Sequence, residues 1–295
     1  MKKLPKADYK RLKSWIYMYA RPLDFAWWKC LIENESNQLF IDVMSVYQNE
    51  DGGIGHGIEP ASFNPFSSPY QTSWWNPEDL LELGIGKDST IVKGNLKYLD
   101  SGAYLTEEGW PWSIPLDNNY PHEPWMEYHG GNFSGYDLSV TTRLLGIIFL
   151  YAEKETDLFN KGVAIANNLL SKFEDYANEY FNQGGYELGS YMELSYAIND
   201  YETLSHYIEH ANLEDYFDYK IIKERLKDKP INNDDEKELD ELIEVMKSDN
   251  YLELADLTYC DKDKYLKEVS ISLYWWVADK IIKDVYRLKK AERLE

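Results

Sequence analysis

Gln48-Asn49-Glu50-Asp51-Gly52-Gly53-Ile54-Gly55 is the stretch on which the reading of this chain turns. It follows Leu39, Phe40, Val43, Met44 and Tyr47, whose three and four spacing predicts a helix that Ser36 can cap and that stops before the glycines. Glycine lets the backbone turn tightly where a helix ends, and an amide or carboxylate satisfies the backbone groups left open there. The pattern returns as TEEGWPW at Thr106 and NQGGYEL at Asn182, roughly 60 to 75 residues apart, the length of one or two helical hairpins with long loops.

Working outward, apolar residues keep the helical period in many segments, while period-two alternation bounded by turns is scarce. Asn76 and Pro77 start a short helix that ends near Gly84, with Glu78 and Asp79 at the positive end of its dipole. Further helices are expected over 89–99, 138–153, 158–173, 186–198, 201–210, 213–226 and 234–246, with a long last one from 262 towards 287. That last segment carries Trp275, Trp276, Val277, Ile281 and Ile282 and reads as a closing helix packed on the first ones, or as an amphipathic membrane-surface helix. The charged stretch around Lys227 to Glu241 has no Gly/Ser linker, so residues 1–295 read as one domain. The fold class is all-α.

The 295 residues are 44% hydrophobic and include 10 Trp and 25 Tyr, enough rings to pack long helix faces or line a cavity. A formal net charge of −21 without a basic stripe argues against nucleic acid and against an anionic membrane surface. No apolar run has the length of a signal peptide or a membrane span, and the expected location is cytoplasmic. Cys30 and Cys260 stand apart and read as free thiols.

Gln48, Asp51, Gly52, Gly53 and Ile54 resemble the QW-type repeat of squalene and oxidosqualene cyclases and of protein prenyltransferases. The following GIEPASFNPFSSPYQT, from Gly57, is similar to an uncharacterised bacterial branch of that superfamily. The resemblance covers about residues 21–72 and implies an α/α toroid, inner and outer helices around a central cavity, with an isoprenoid as the implied ligand. The chain departs from the family in several places. Ile54 fills the tryptophan slot, the later copies are degenerate, and there is no DxDD element, the nearest run being NNDDE at Asn232. The Asp-x-Cys zinc pair is missing, since Thr258 precedes Cys260 at that spacing, and the strict DDxxD signature is absent too. The resemblance therefore speaks for a fold more than for a reaction.

Candidate chemistry gathers in the two long Gly- and Pro-rich loops that leave the first helices. Glu59 and Asp51 lie in the first and Asp137 closes the second, three candidates for a general acid or base facing a cavity. Asp51 reads first as a cap demanded by the repeat itself and only second as an acid or base. Asn64, Ser68 and Tyr70 supply hydrogen bonds beside the rings of Trp74 and Trp75, and Trp110, Trp112, Trp125 and His129 form a second aromatic and polar group. A ligand site uses this mixture, as does a well-packed loop. If both loops meet at one mouth, Glu59 and Asp137 become opposed carboxylates, as in a glycosidase.

Other motifs carry less. His206, Glu209 and His210 spell HxxEH, but no third ligand is signposted, so no metal is expected. HGGN at His129 has no accompanying GxSxG, and neither a P-loop nor a dinucleotide fingerprint occurs, so no cofactor is expected. The leading expectation is a small-molecule ligand in an aromatic central cavity. The alternatives are a glycan-directed glycosidase or lyase on a six-hairpin toroid and a non-catalytic binding protein.

Overall fold

The computed structural model describes residues 1–75, 77–130, 136–172, 233–253 and 265–295. Among them every regular element is a helix, and extended pairing is confined to three isolated bridges, Leu4 with Leu294, Gln48 with Ile54, and Ser62 with His122. The all-α expectation holds for these residues. No described helix is long and apolar enough to cross a membrane.

The chain opens with α1 (Lys6–Tyr19) and α2 (Pro22–Leu31). The helical spacing did not single these out, because their tryptophans and tyrosines run around much of the surface rather than in one stripe. Pro22 at the first helical position fixes φ for α2, and Asp24 and Lys29 sit at the ends of the dipole that suit their charges. The segment after Ser36 forms α3 (Gln38–Met44), tightened into a 3-10 turn at Ser45–Tyr47 just before the glycines. α4 (Pro69–Ser73) is a single turn capped by Ser68, whose hydroxyl accepts from Gln71 N. α5 (Pro77–Glu82) ends at Gly84, which takes φ +66° while Ile85 N bonds back to Leu80 O.

α6 (Thr90–Asp100), α7 (Leu138–Tyr151) and α8 (Asp157–Ser171) follow close to their expected places, with Asp137 and Thr156 as side-chain caps of the last two. α7 stops at Tyr151, two residues short of the expected end. α9 (Asn233–Lys247) and α10 (Leu266–Lys290) complete the described elements. The helices expected over 186–198, 201–210 and 213–226, the loop at Asn182, the HxxEH motif and Cys260 lie outside the described residues.

α7 is the hub of one half, touching α4, α5, α6 and α8. α10 packs on α1 and α2, so the last helix returns to the first two, as its apolar face suggested. The termini are tied as well. Leu4 N donates to Arg293 O at 2.8 Å, and the fully buried Arg293 pairs with Glu236 and Asp240 of α9. One continuous apolar cluster runs from Leu12 and Trp28 through Tyr98 and Leu144 to Ile281 and Val285.

Candidate ligand site

The QNEDGGIG stretch is a tight hairpin that docks on a helix. Gln48 Nε2 reaches Gly52 O and Ile91 O, both at 2.9 Å, and Asn95 Oδ1 at 3.2 Å. Gly94 lies between those last two residues in α6, where a Cβ would stand 2.2 Å from Gln48 Nε2, and a Cβ on Gly52 would meet Gly94 O at 2.1 Å. Two facing glycines therefore let loop and helix touch. Asp51 Oδ1 accepts from Gly53 N at 3.0 Å and Ser67 Oγ at 2.6 Å while its side chain stays at the surface, so it closes the loop's own turn and caps no helix.

The second copy is built differently to the same end. Thr106 and Gly109 close a turn, and Gly109, at φ +146°, sits against Thr141 of α7, where a Cβ would meet Oγ1 at 2.3 Å. Thr141 Oγ1 accepts Trp110 N at 2.9 Å.

Beyond Gly55 the chain leads to Glu59, which has no exposed surface. Two side chains hold the backbone around it. Arg21 donates to Gly57 O at 3.2 Å and Ile58 O at 2.7 Å, Gln71 Oε1 accepts Glu59 N at 3.2 Å, and Gln71 Nε2 donates to Ser62 O at 2.9 Å. Arg21 is itself fixed by its Nε–H, shared between the two Asp24 oxygens at 3.0 and 3.1 Å, and by the Trp275 ring 4.4 Å away. Burial pushes the Asp24 carboxyl up to about 6 against the pull of Arg21.

The Glu59 carboxyl is half satisfied. Oε2 accepts Ala61 N at 2.8 Å, and Oε1 has no hydrogen-bond partner among the described residues. Burial, opposed by the Ala61 N–H and by Arg21 and reinforced by the charges of Asp279 and Glu123, pushes this acid up to about 8. It holds its proton at neutral pH. The Tyr70 hydroxyl stands within hydrogen-bonding range of this carboxyl without meeting the geometry of a bond to Oε1, and burial and the Glu59 charge keep that phenol un-ionised.

Tyr70 starts an aromatic wall. Its ring lies 4.4 Å from Trp112, 6.3 Å from Trp125 and 6.4 Å from Trp74, and Trp112 and Trp125 are 5.6 Å apart. Trp276 of α10 meets Trp74 edge-on at 5.9 Å. Trp74, Trp112 and Trp276 are half-buried, and Trp125 keeps 46% of its surface, so the wall retains ring faces in contact with solvent. At its far edge Lys283 pairs with Asp279 at 3.0 Å and stands 6.0 Å from the Trp74 ring. Lys283 keeps 41% of its side chain exposed, and the charges of Asp279 and Asp79 raise its ammonium. Asp79 is pushed up to about 6 by burial, with Lys283 and Arg143 opposing.

The sequence candidates divide accordingly. Glu59, Tyr70, Trp74, Trp112 and Trp125 come together. Asp137 lies close enough for its charge to act on Tyr70, although its Oδ1 is engaged as the α7 cap, accepting Val140 N at 2.9 Å and Ser139 Oγ at 2.8 Å. Asn64 is buried in a loop network, donating to Asp117 Oδ1 at 2.8 Å and accepting Phe66 N at 3.0 Å, and Ser68 is a helix cap. Trp75 is enclosed by Trp27 and Phe40, each 4.9 Å away, and Trp110 has 1% of its surface exposed. Both fill the core and offer no face to a ligand. His129 sits on an exposed loop.

Glu123, Trp276, Asp279 and Lys283 are additions. The last three share one face of α10 at helical spacing. Glu123 had a legible signal, since Glu59-Pro60 and Glu123-Pro124 repeat one dipeptide in both long loops, and proline holds the preceding residue extended, as Glu123 is at ψ 149°. Comparisons of the chain with protein families, with curated proteins and with solved structures give no match.

Proposed function

We propose that the chain binds a small ligand against the Tyr70, Trp74, Trp112, Trp125 and Trp276 wall and that Glu59 is its proton donor. The observation that carries this reading is the Glu59 carboxyl itself: buried, protonated near neutral pH, and with Oε1 unpartnered beneath half-exposed rings. A neutral carboxylic acid in such a place gives up its O–H proton to a ligand oxygen or double-bond carbon and is left as the carboxylate. The rings supply apolar area and stabilise positive charge that develops after protonation. An isoprenoid matches that chemistry, and the likeness of the QNEDGGIG stretch to the cyclase and prenyltransferase repeat points the same way, with an α/α toroid as the implied architecture.

A glycan is the second reading. It is favoured by one feature, that Glu59 and Asp137 both act on the same Tyr70 phenol, as two carboxyls flanking a site would. Titration of tryptophan fluorescence with farnesol and with maltotriose separates the two. Under the leading reading farnesol changes the emission, the Trp125→Ala variant weakens that response about tenfold, and Glu59→Gln retains it. A response to maltotriose alone transfers the site to glycans, and a response to neither rejects ligand binding at the wall.

A further inference from the structure

We propose that Glu123 is the second acid of this site, and that Glu59 and Glu123 together take one hydroxyl group of the ligand, one donating to it and the other accepting from it. The inference rests on the reading of the wall as a ligand site and narrows the ligand to one that carries an alcohol.

Backbone pairing brings the loop segments of the two acids together. Phe63 N donates to Pro121 O at 2.9 Å, Ser62 bridges His122, and Glu123 N donates to Ala61 O at 2.8 Å, while Ala61 N holds Glu59 Oε2. Ala61 therefore touches both, through its carbonyl on one side and its amide on the other. The rings close the other side of the arrangement. Tyr70 stands at Glu59, and its ring meets Trp125, two residues beyond Glu123.

Glu123 is 3% exposed and Glu59 fully buried, and each carries an Oε1 without a hydrogen-bond partner among the described residues. An unpartnered buried carboxyl oxygen costs about 1 to 3 kcal/mol, so two of them on loop segments that meet at Ala61 call for a ligand group. The Glu123 charge is among the causes that keep the proton on Glu59, as for neighbouring acids that do not both ionise readily. The other charged or titratable groups facing Glu59 are Arg21 at the start of α2, Asp279 on α10 and Tyr70 on α4. Arg21 is occupied by Asp24 and two carbonyls, and Asp279 by Lys283. One protonated and one ionised carboxyl present a donor and an acceptor at once. A hydroxyl answers both, whereas a hydrocarbon answers neither.

Infrared spectroscopy of the full chain tests the pair. The carboxylic C=O band lost in Glu59→Gln reports the proton on Glu59, and its titration midpoint is expected near pH 8. In Glu123→Gln, with folding checked by near-ultraviolet circular dichroism, that midpoint moves down and the band narrows to a single environment. A midpoint indifferent to Glu123→Gln overturns the pair. Farnesol and its hydrocarbon counterpart farnesene then test the ligand group. Farnesol is expected to shift the band and to bind about tenfold tighter than farnesene, and the difference is expected to vanish in Glu123→Gln. Equal binding of the two by the wild-type chain, or a preference that survives Glu123→Gln, overturns the hydroxyl assignment. If neither probe changes tryptophan emission, the ligand-site reading fails and the hydroxyl assignment with it, whereas the midpoint result judges the acid pair by itself.

Discussion

At the scale of single residues, Glu59 makes stability depend on pH in a definite direction. Its folded value of about 8 lies above the ordinary 4.5, so between those values the folded chain keeps a proton that the unfolded chain has released. That contribution is fully present below about pH 4.5 and is lost as pH rises to about 8, each unit of difference being worth about 1.4 kcal/mol. Asp24 and Asp79, raised to about 6, act with the same sign up to that pH, and burial raises Glu123, Asp117 and Asp284 as well, so the Glu59 share of the interval from about 6 to 8 is read by comparison with Glu59→Gln. The thermal midpoint of the wild-type chain is expected to fall across that interval, and Glu59→Gln is expected to flatten it. Equal slopes in the two proteins exclude a protonated Glu59. This residue was legible beforehand as a carboxylate in a Gly- and Pro-rich loop. Its burial was not, because that depends on Arg21 and Gln71, which lie 38 and 12 positions away in sequence and hold the loop through its backbone.

The elements show how a glycine motif fixes a loop onto the next helix. In an exposed helix interior, glycine to alanine gains about 1 kcal/mol from propensity. Gly94→Ala in α6 is expected to lose about 1 to 3 kcal/mol instead, since its Cβ strikes the Gln48 amide. Urea denaturation reads the sign. Thr141→Val in α7 keeps the shape and removes the acceptor for the buried Trp110 N–H, and is expected to cost about 1 to 3 kcal/mol in the same measurement. The helices with one clear apolar stripe, such as α6 and α8, were readable from spacing to within a residue or two at most ends. α1 and α2 were not, since rings on several faces blur the stripe, and α4 is one turn set by Ser68 and Pro69 rather than by any periodicity. Trp75 and Trp110 illustrate the same difficulty at the site. Nothing in the dipeptide Trp74-Trp75 says which ring faces α10 and which fills the gap between α2 and α3.

Across the whole molecule, the closing contacts concern the ends of the chain. Arg293 is buried between Lys2 and the α9 acids Glu236 and Asp240, so it links the N-terminus, α9 and the C-terminus through one side chain. Arg293→Met is expected to cost about 1 to 3 kcal/mol, less than a fully buried pair, because both acids keep about a third of their surface in water. Hydrogen exchange in α1 and α10 is expected to accelerate together, and an effect confined to α9 contradicts the linkage. The return of the last helix was foreseeable from its apolar face. The meeting of the two long loops was not, since it rests on backbone bonds between residues 61–63 and 121–123 that carry no side-chain signature. That meeting joins the loop of Glu59 to the loop of Trp112 and Trp125, whose rings meet Tyr70. The most direct measurement is a crystal structure of the full chain soaked with farnesol. Density is expected along Tyr70, Trp112 and Trp125 with the alcohol oxygen within hydrogen-bond distance of Glu59 Oε1. A bare wall, or farnesol bound elsewhere, contradicts the proposed site.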